Sequence, residues 1–125
     1  MILDTNALSA IAQGEPGATN IFVRARLVAI PVIVLGEYRF GISYSRRRRE
    51  YERWLVEMIS VSRVLEINEQ TALWYARLRG ELKKAGTPIP SNDAWIGALC
   101  RQHALPLLSR DGHFDLIQGL QRVAW

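Results

Sequence analysis

Four acids in this chain of 125 residues stand out by what surrounds them: Asp4 after a short apolar run, Glu37 after a β-branched run, Asp93 behind a Pro-Ser pair and Asp111 before a glycine. Carboxylates are hard oxygen donors. Several converging on one point would take Mg2+ or Mn2+ rather than Zn2+, because no cysteine or paired histidine accompanies them. Such an ion acidifies a water and neutralises charge on a phosphodiester. Without a cation the cluster is costly: two carboxylates ~4 Å apart repel by roughly 4 kcal/mol in a medium of effective dielectric about 20.

Each acid also has a plain structural reading. Asp4 suits a turn or a helix cap, Asp93 complements a helix dipole, Asp111-Gly112 is a common turn pair and Glu37 fits a solvated helix position. The neighbouring residues have similar readings. Cys100 reads as a buried core thiol, His113 as a packing or locally hydrogen-bonded residue, and His103 as a partner for a helix C-terminus.

What could gather the four acids is the order of elements. Met1 to Leu3 reads as a brief strand, Ala7 to Ala12 as a helix, and Gly14 to Gly17 as a break. A helix is expected over Thr19–Arg26, a buried strand over Val28–Val34 and a helix over Leu35–Tyr44. Tyr51, Trp54, Leu55 and Met58 recur at helical spacing and predict an amphipathic helix over Arg47–Ile59. Val64–Ile67 reads as a strand. Asn68 caps a helix running to about Lys84, closed by Gly86, Pro88 and Pro90. Ser91 is the expected cap of a helix over Asn92–His103. A strand over Leu105–Ser109, a short helix over Gly112–Gln118 and a strand over Arg122–Trp125 follow.

Short strands alternating with helices predict a three-layer α/β/α sandwich with a mainly parallel central sheet, and residues 1–125 as one domain. In such a sheet the strand ends and following helix starts share one edge, so the four acids can meet in one cleft.

Hydrophobic residues make up 49% of the chain, which excludes wholesale disorder. The longest apolar run, Leu27 to Gly36, contains Pro31 and is too short to span a bilayer. Cys100 is the single cysteine, and no basic-then-apolar leader precedes Asp4, so a reduced, cytoplasmic protein without a membrane partner is expected. Lys and Arg number 16 against 12 Asp and Glu, a net of +4, and Arg46, Arg47, Arg48 and Arg49 form one block. A basic surface around an acidic cleft suits an anionic polymer. The block fits RNA phosphates, an acidic protein segment or a solvated helix start.

The local motifs carry a family resemblance. Ile2-Leu-Asp-Thr-Asn6, Gly36-Glu37, Asn92-Asp-Ala-Trp-Ile96, Ser109-Arg-Asp-Gly-His-Phe114 and Ile117-Gln-Gly-Leu120 resemble, in order, the motifs of PIN-domain ribonucleases, specifically the VapC-type toxins of toxin–antitoxin pairs. The resemblance spans essentially the whole chain. It implies metal ligands at Asp4 and Asp93, with Glu37 and Asp111 completing the acidic site. It places Asp115 at a less regular acidic position, and Asn6 and Ser109 at supporting polar positions. It also implies a Mg2+- or Mn2+-dependent endoribonuclease, a cognate antitoxin and a homodimer.

A haloacid-dehalogenase-type phosphatase would need an aspartate two residues after Asp4, where Asn6 stands. The non-enzymatic alternative is an RNA- or partner-binding module whose acids hold only a structural ion.

Overall fold

The computed structural model describes residues 1–125. Its five strands are β1 (Ile2–Leu3), β2 (Ala29–Pro31), β3 (Arg63–Leu65), β4 (Leu107–Leu108) and β5 (Arg122–Val123). They form one sheet in the order β3-β2-β1-β4-β5, and every neighbouring pair is parallel. The helices are α1 (Thr5–Ala12), α2 (Pro16–Phe22), α3 (Val32–Ile42), α4 (Arg48–Ser60), α5 (Glu69–Lys84) and α6 (Ser91–His103). A 3-10 turn covers Gly112–Leu116. This is the expected α/β architecture, with a sheet that is wholly rather than mainly parallel.

The chain builds outward from β1 through β2 to β3, then returns to the other side of β1 for β4 and β5. The order therefore reverses between β1 and β4. In open α/β sheets, sites form beyond the carboxyl ends of the strands at such a reversal. Right-handed crossovers assign α1 to α4 to one face and α5 and α6 to the other. The three central strands are short but buried: Ile2, Leu3, Ala29, Ile30, Leu107 and Leu108 are all inaccessible to solvent.

Several boundaries differ from the sequence expectation. The expected strand over Val28–Val34 ends at Pro31, and Val32 already opens α3 despite a β-branched Val-Ile-Val run. Pro31 has no N–H to extend the ladder and becomes the extended N-cap of the helix. Glu37 consequently sits in the second turn of α3, one turn deeper than a helix starting at Leu35 would place it, and gains less from the helix dipole. The helix expected over Thr19–Arg26 runs from Pro16 to Phe22, with proline at its first position.

Two caps are informative. Asn68 caps α5 as expected, accepting from the Thr71 N–H while the Asn68 N–H donates to Thr71 Oγ1, both at 3.1 Å. Ser91 does not cap α6: Pro90 occupies that position, and the Ser91 hydroxyl pairs with Tyr75 at 3.3 Å. Packing against α5 thus outcompetes the local cap.

Gly97 shows how closely α6 packs. An added Cβ there would lie 2.6 Å from Ile117 Cδ1 and 3.1 Å from Leu78 Cδ1. A larger residue there would have to displace the ends of these two side chains, so glycine favours the close approach of the helix that carries Asp93 to α5 and the chain after β4.

Candidate active site

The site is assembled at the β1/β4 reversal. Asp4 follows β1 immediately and serves as N-cap of α1, accepting from the Ala7 N–H at 2.8 Å. It is 4% exposed. Ser109 follows β4 in the same register, since Leu3 pairs with Leu108. Ser109 is fully buried, accepts the Asp111 N–H on its hydroxyl at 2.9 Å, and lies close enough to Asp4 to lower the pKa of that carboxyl. Ser109 thus lies between the two strand-end acids.

Asp111 caps the 3-10 turn through the His113 N–H, 2.9 Å away. Asp93 lies in the first turn of α6 and is half-buried. The His113 ring reaches both acids, with Nδ1 3.2 Å from Asp111 Oδ1 and 3.7 Å from Asp93 Oδ2. Asp93, Asp111 and His113 each offer a ligand atom, all within 4.8 Å of one another. Glu37 faces the group from α3 and adds its charge to the field at Asp93. It is held by the Thr5 hydroxyl, which donates to Glu37 Oε1 at 2.9 Å.

The electrostatics match the geometry. Burial is the main reason the Asp4 carboxyl rises above its ordinary range. Hydrogen bonds from Ser109 and Ala7 counter it, while Asp93 and Asp111 push it further up. Asp93 is likewise raised, first by burial and then by Asp111, with His113 opposing and Glu37 adding to the rise. Partly desolvated like charges drawn from separate elements are what a cation would relieve. The donor set is mainly carboxylate oxygen with one imidazole nitrogen at its rim, which suits Mg2+ or Mn2+.

The structure sorts the remaining sequence candidates. Asp4, Glu37, Asp93, Asp111 and Ser109 come together. Asn6 is exposed on the first turn of α1 and takes no part in the hydrogen bonds among these residues. Asp115 is drawn away: Arg122 donates to both of its oxygens at 2.8 and 2.7 Å and lowers its pKa. The same guanidinium donates to the Ser109 carbonyl at 3.1 Å, which ties Asp115 to that strand end.

His113 makes the local contact expected of it, with Asp111, and is 52% exposed rather than packed away. Thr5 and Arg122 act through contacts distant in sequence. For Thr5 the only sequence signal was its place inside the Asp4 motif. Cys100 is a core residue as expected, its thiol pushed up to about 12 by burial. A larger cavity of about 510 Å3, lined by Arg79, Gly80, Leu82, Lys83, Pro88 and Ile89, contains no acid.

Comparison with known proteins now adds a decisive match: the PIN-domain family model covers residues 1–120. The chain belongs to the PIN-domain family. Among its PIN relatives, ribonuclease VapC5 of Mycobacterium tuberculosis is 28% identical over 124 residues, spanning 98% of this chain and 90% of that protein. Toxin FitB of Neisseria gonorrhoeae is 26% identical over 121 residues, spanning 89% and 87% of the two chains. This PIN domain also superimposes on the crystal structure of FitAcB from Neisseria gonorrhoeae with a TM-score of 0.85 at 26% identity, over 97% of this chain and 94% of that one. The fold is shared with VapBC2 of Rickettsia felis at a TM-score of 0.87 and 23% identity, over 99% and 97% of the chains.

Proposed function

We propose that this PIN domain is a Mg2+- or Mn2+-dependent endoribonuclease and the toxin of a type II toxin–antitoxin pair. The observation that carries the reading is the convergence of Asp4, Asp93, Asp111 and Glu37 from four separate segments at the sheet reversal, with Asp4 and Asp93 raised by burial and mutual repulsion. The relatives named ribonuclease VapC5 and toxin FitB support the reading.

Asp4, Asp93 and Asp111 are the residues that would hold the ion. When bound, it supplies charge neutralisation at the phosphate and a more acidic water. The chain's own groups do the rest. The Ala7 N–H fixes the Asp4 carboxylate, so its direction does not have to be organised during the reaction. Glu37, oriented by Thr5, can accept a hydrogen bond from the attacking water.

The partners follow from the same kinship. Solved relatives include VapBC-1 of nontypeable Haemophilus influenzae, with a TM-score of 0.83 at 26% identity, and a toxin–antitoxin complex from Klebsiella pneumoniae, with 0.76 at 25%. A cognate antitoxin and a homodimer are therefore proposed, in the cytoplasm. No helix is long and apolar enough to cross a membrane.

The test is cleavage of a mixed RNA pool by purified protein with Mg2+ or Mn2+, with EDTA, and with Asp4→Asn and Asp93→Asn. Cleavage should require the metal and both aspartates. Persistence in EDTA, or in either variant, overturns the mechanism. RNA binding without cleavage under any metal would favour a binding module with a structural ion.

A further inference from the structure

We propose that the groove between α1 and α3, continued by an arginine cradle at the start of α4, holds the single-stranded RNA flanking the scissile phosphate. The proposal rests on the endoribonuclease reading and gives its substrate a path.

The groove, about 310 Å3, has Thr5 and Glu37 of the acidic site at one end and Ser45 and Tyr51 at the other. Ser45 is also in the wall of a second depression of about 450 Å3, lined by Arg46 to Arg49 and Arg53 and by no hydrophobic residue. The two meet at Ser45, so one surface runs from Glu37 to the arginines. A strand whose phosphate sits at the acids can follow it to a concentration of positive charge.

Not all the arginines are free to bind. Arg47 is occupied: its Nε and Nη2 donate to the two Glu50 oxygens, each at 3.0 Å, and its guanidinium lies 5.2 Å from the Tyr51 ring centre. The other ion pair of this region is Arg39 with Glu52. Arg46, Arg48, Arg49 and Arg53 remain exposed and unpaired. The binding set is therefore not the contiguous block of the sequence, because Arg53, one helical turn on, takes the place of Arg47. Cations at a helix N-terminus oppose its dipole, so helix stability does not account for them.

One further observation favours a nucleic acid. Tyr44, next to the cradle in sequence, is 91% exposed and offers a free ring on which a base can stack. A protein segment held by its apolar residues would find none to meet in the cradle.

The test is fluorescence anisotropy with labelled oligouridylate in EDTA over a NaCl series, comparing the native protein with R46Q/R48Q/R49Q/R53Q and with the matching all-lysine variant. Four lost phosphate contacts should flatten the slope of log affinity against log salt by up to ~2.8, at about 0.7 per contact, and lysines should restore it. All four side chains are exposed, and melting curves check that the variants fold. An unchanged slope in the glutamine variant overturns the proposal. If that variant instead loses affinity for a glutamate-rich peptide, the cradle is a protein-docking site. Because binding is read without metal, a flattened slope without any cleavage upholds the strand path and removes only the catalytic reading.

Discussion

The Thr5 hydroxyl donates to Glu37 Oε1 across 2.9 Å, joining residues 32 positions apart. The bond fixes the one acid of the site that comes from α3, and does so from the first residue of the helix that Asp4 caps. Thr5→Val keeps the shape and removes the donor. Hydrogen bonds to charged groups contribute about 1.5–3 kcal/mol, so cleavage should fall by roughly 10- to 100-fold, chiefly in kcat, with Thr5→Ser restoring most of it. Unchanged cleavage in Thr5→Val would mean that Glu37 needs no positioning.

The carboxylates should make the metal-free protein gain stability on mild acidification. Asp4 and Asp93 have folded pKa values above their unfolded ones, so between the two values the folded state binds more protons. Their unfavourable contribution is absent below the unfolded pKa and grows as pH rises through the folded pKa. Asp4→Asn should raise the melting temperature of the metal-free protein near neutral pH, because asparagine keeps an acceptor for the Ala7 N–H. Mg2+ should then raise the melting temperature of the native protein more than that of the variant. Equal Mg2+ responses would count against a shared site.

His113 should tune the choice of ion. Its Nδ1 lies 3.2 Å from Asp111 Oδ1, where an imidazole can join the donor set. Nitrogen donors favour Mn2+ over Mg2+. His113→Ala should weaken Mn2+ binding more than Mg2+ binding in calorimetric titrations. Identical losses for both ions would confine the ring to holding Asp111.

Tyr38→Phe should stabilise the free protein. Its hydroxyl is buried without a partner, and removing such a group relieves roughly 1–3 kcal/mol of desolvation penalty. Chemical denaturation reads the effect. A destabilised variant would show that the hydroxyl has a partner in solution.

Two glycines should respond in opposite directions. At Gly97 a methyl group meets Ile117 Cδ1 at 2.6 Å, so Gly97→Ala should cost about 1 kcal/mol or more, moderated because that atom is the end of a side chain. At Gly80, inside α5, a methyl group meets nothing within 4 Å, and alanine should add about 0.5–1 kcal/mol through helix propensity. Denaturant midpoints decide both.

The sequence by itself determined the architecture and most of the acid set. Alternation of apolar strands with amphipathic helices implies a parallel sheet, and a parallel sheet sends strand ends to one edge. Asp4 and Asp111 were legible because each directly follows or nearly follows a strand. The Asn68 cap was legible because capping chemistry is local, and Asp93 because Pro88 and Pro90 mark where its helix begins, although Ser91 is not its cap. What only tertiary structure decided is whatever depends on a partner distant in the chain. Pro31 ended β2 early and moved Glu37 to the second turn of α3. Tyr75 took the Ser91 hydroxyl. Arg122 drew Asp115 aside, Thr5 found Glu37, and His113 closed on two carboxylates. Within the arginine block, Glu50 took Arg47 and left Arg53 to complete the cradle. Local spacing fixes which way a residue starts, but these outcomes were competitions between alternative hydrogen-bond and charge partners, settled only when separate elements packed together.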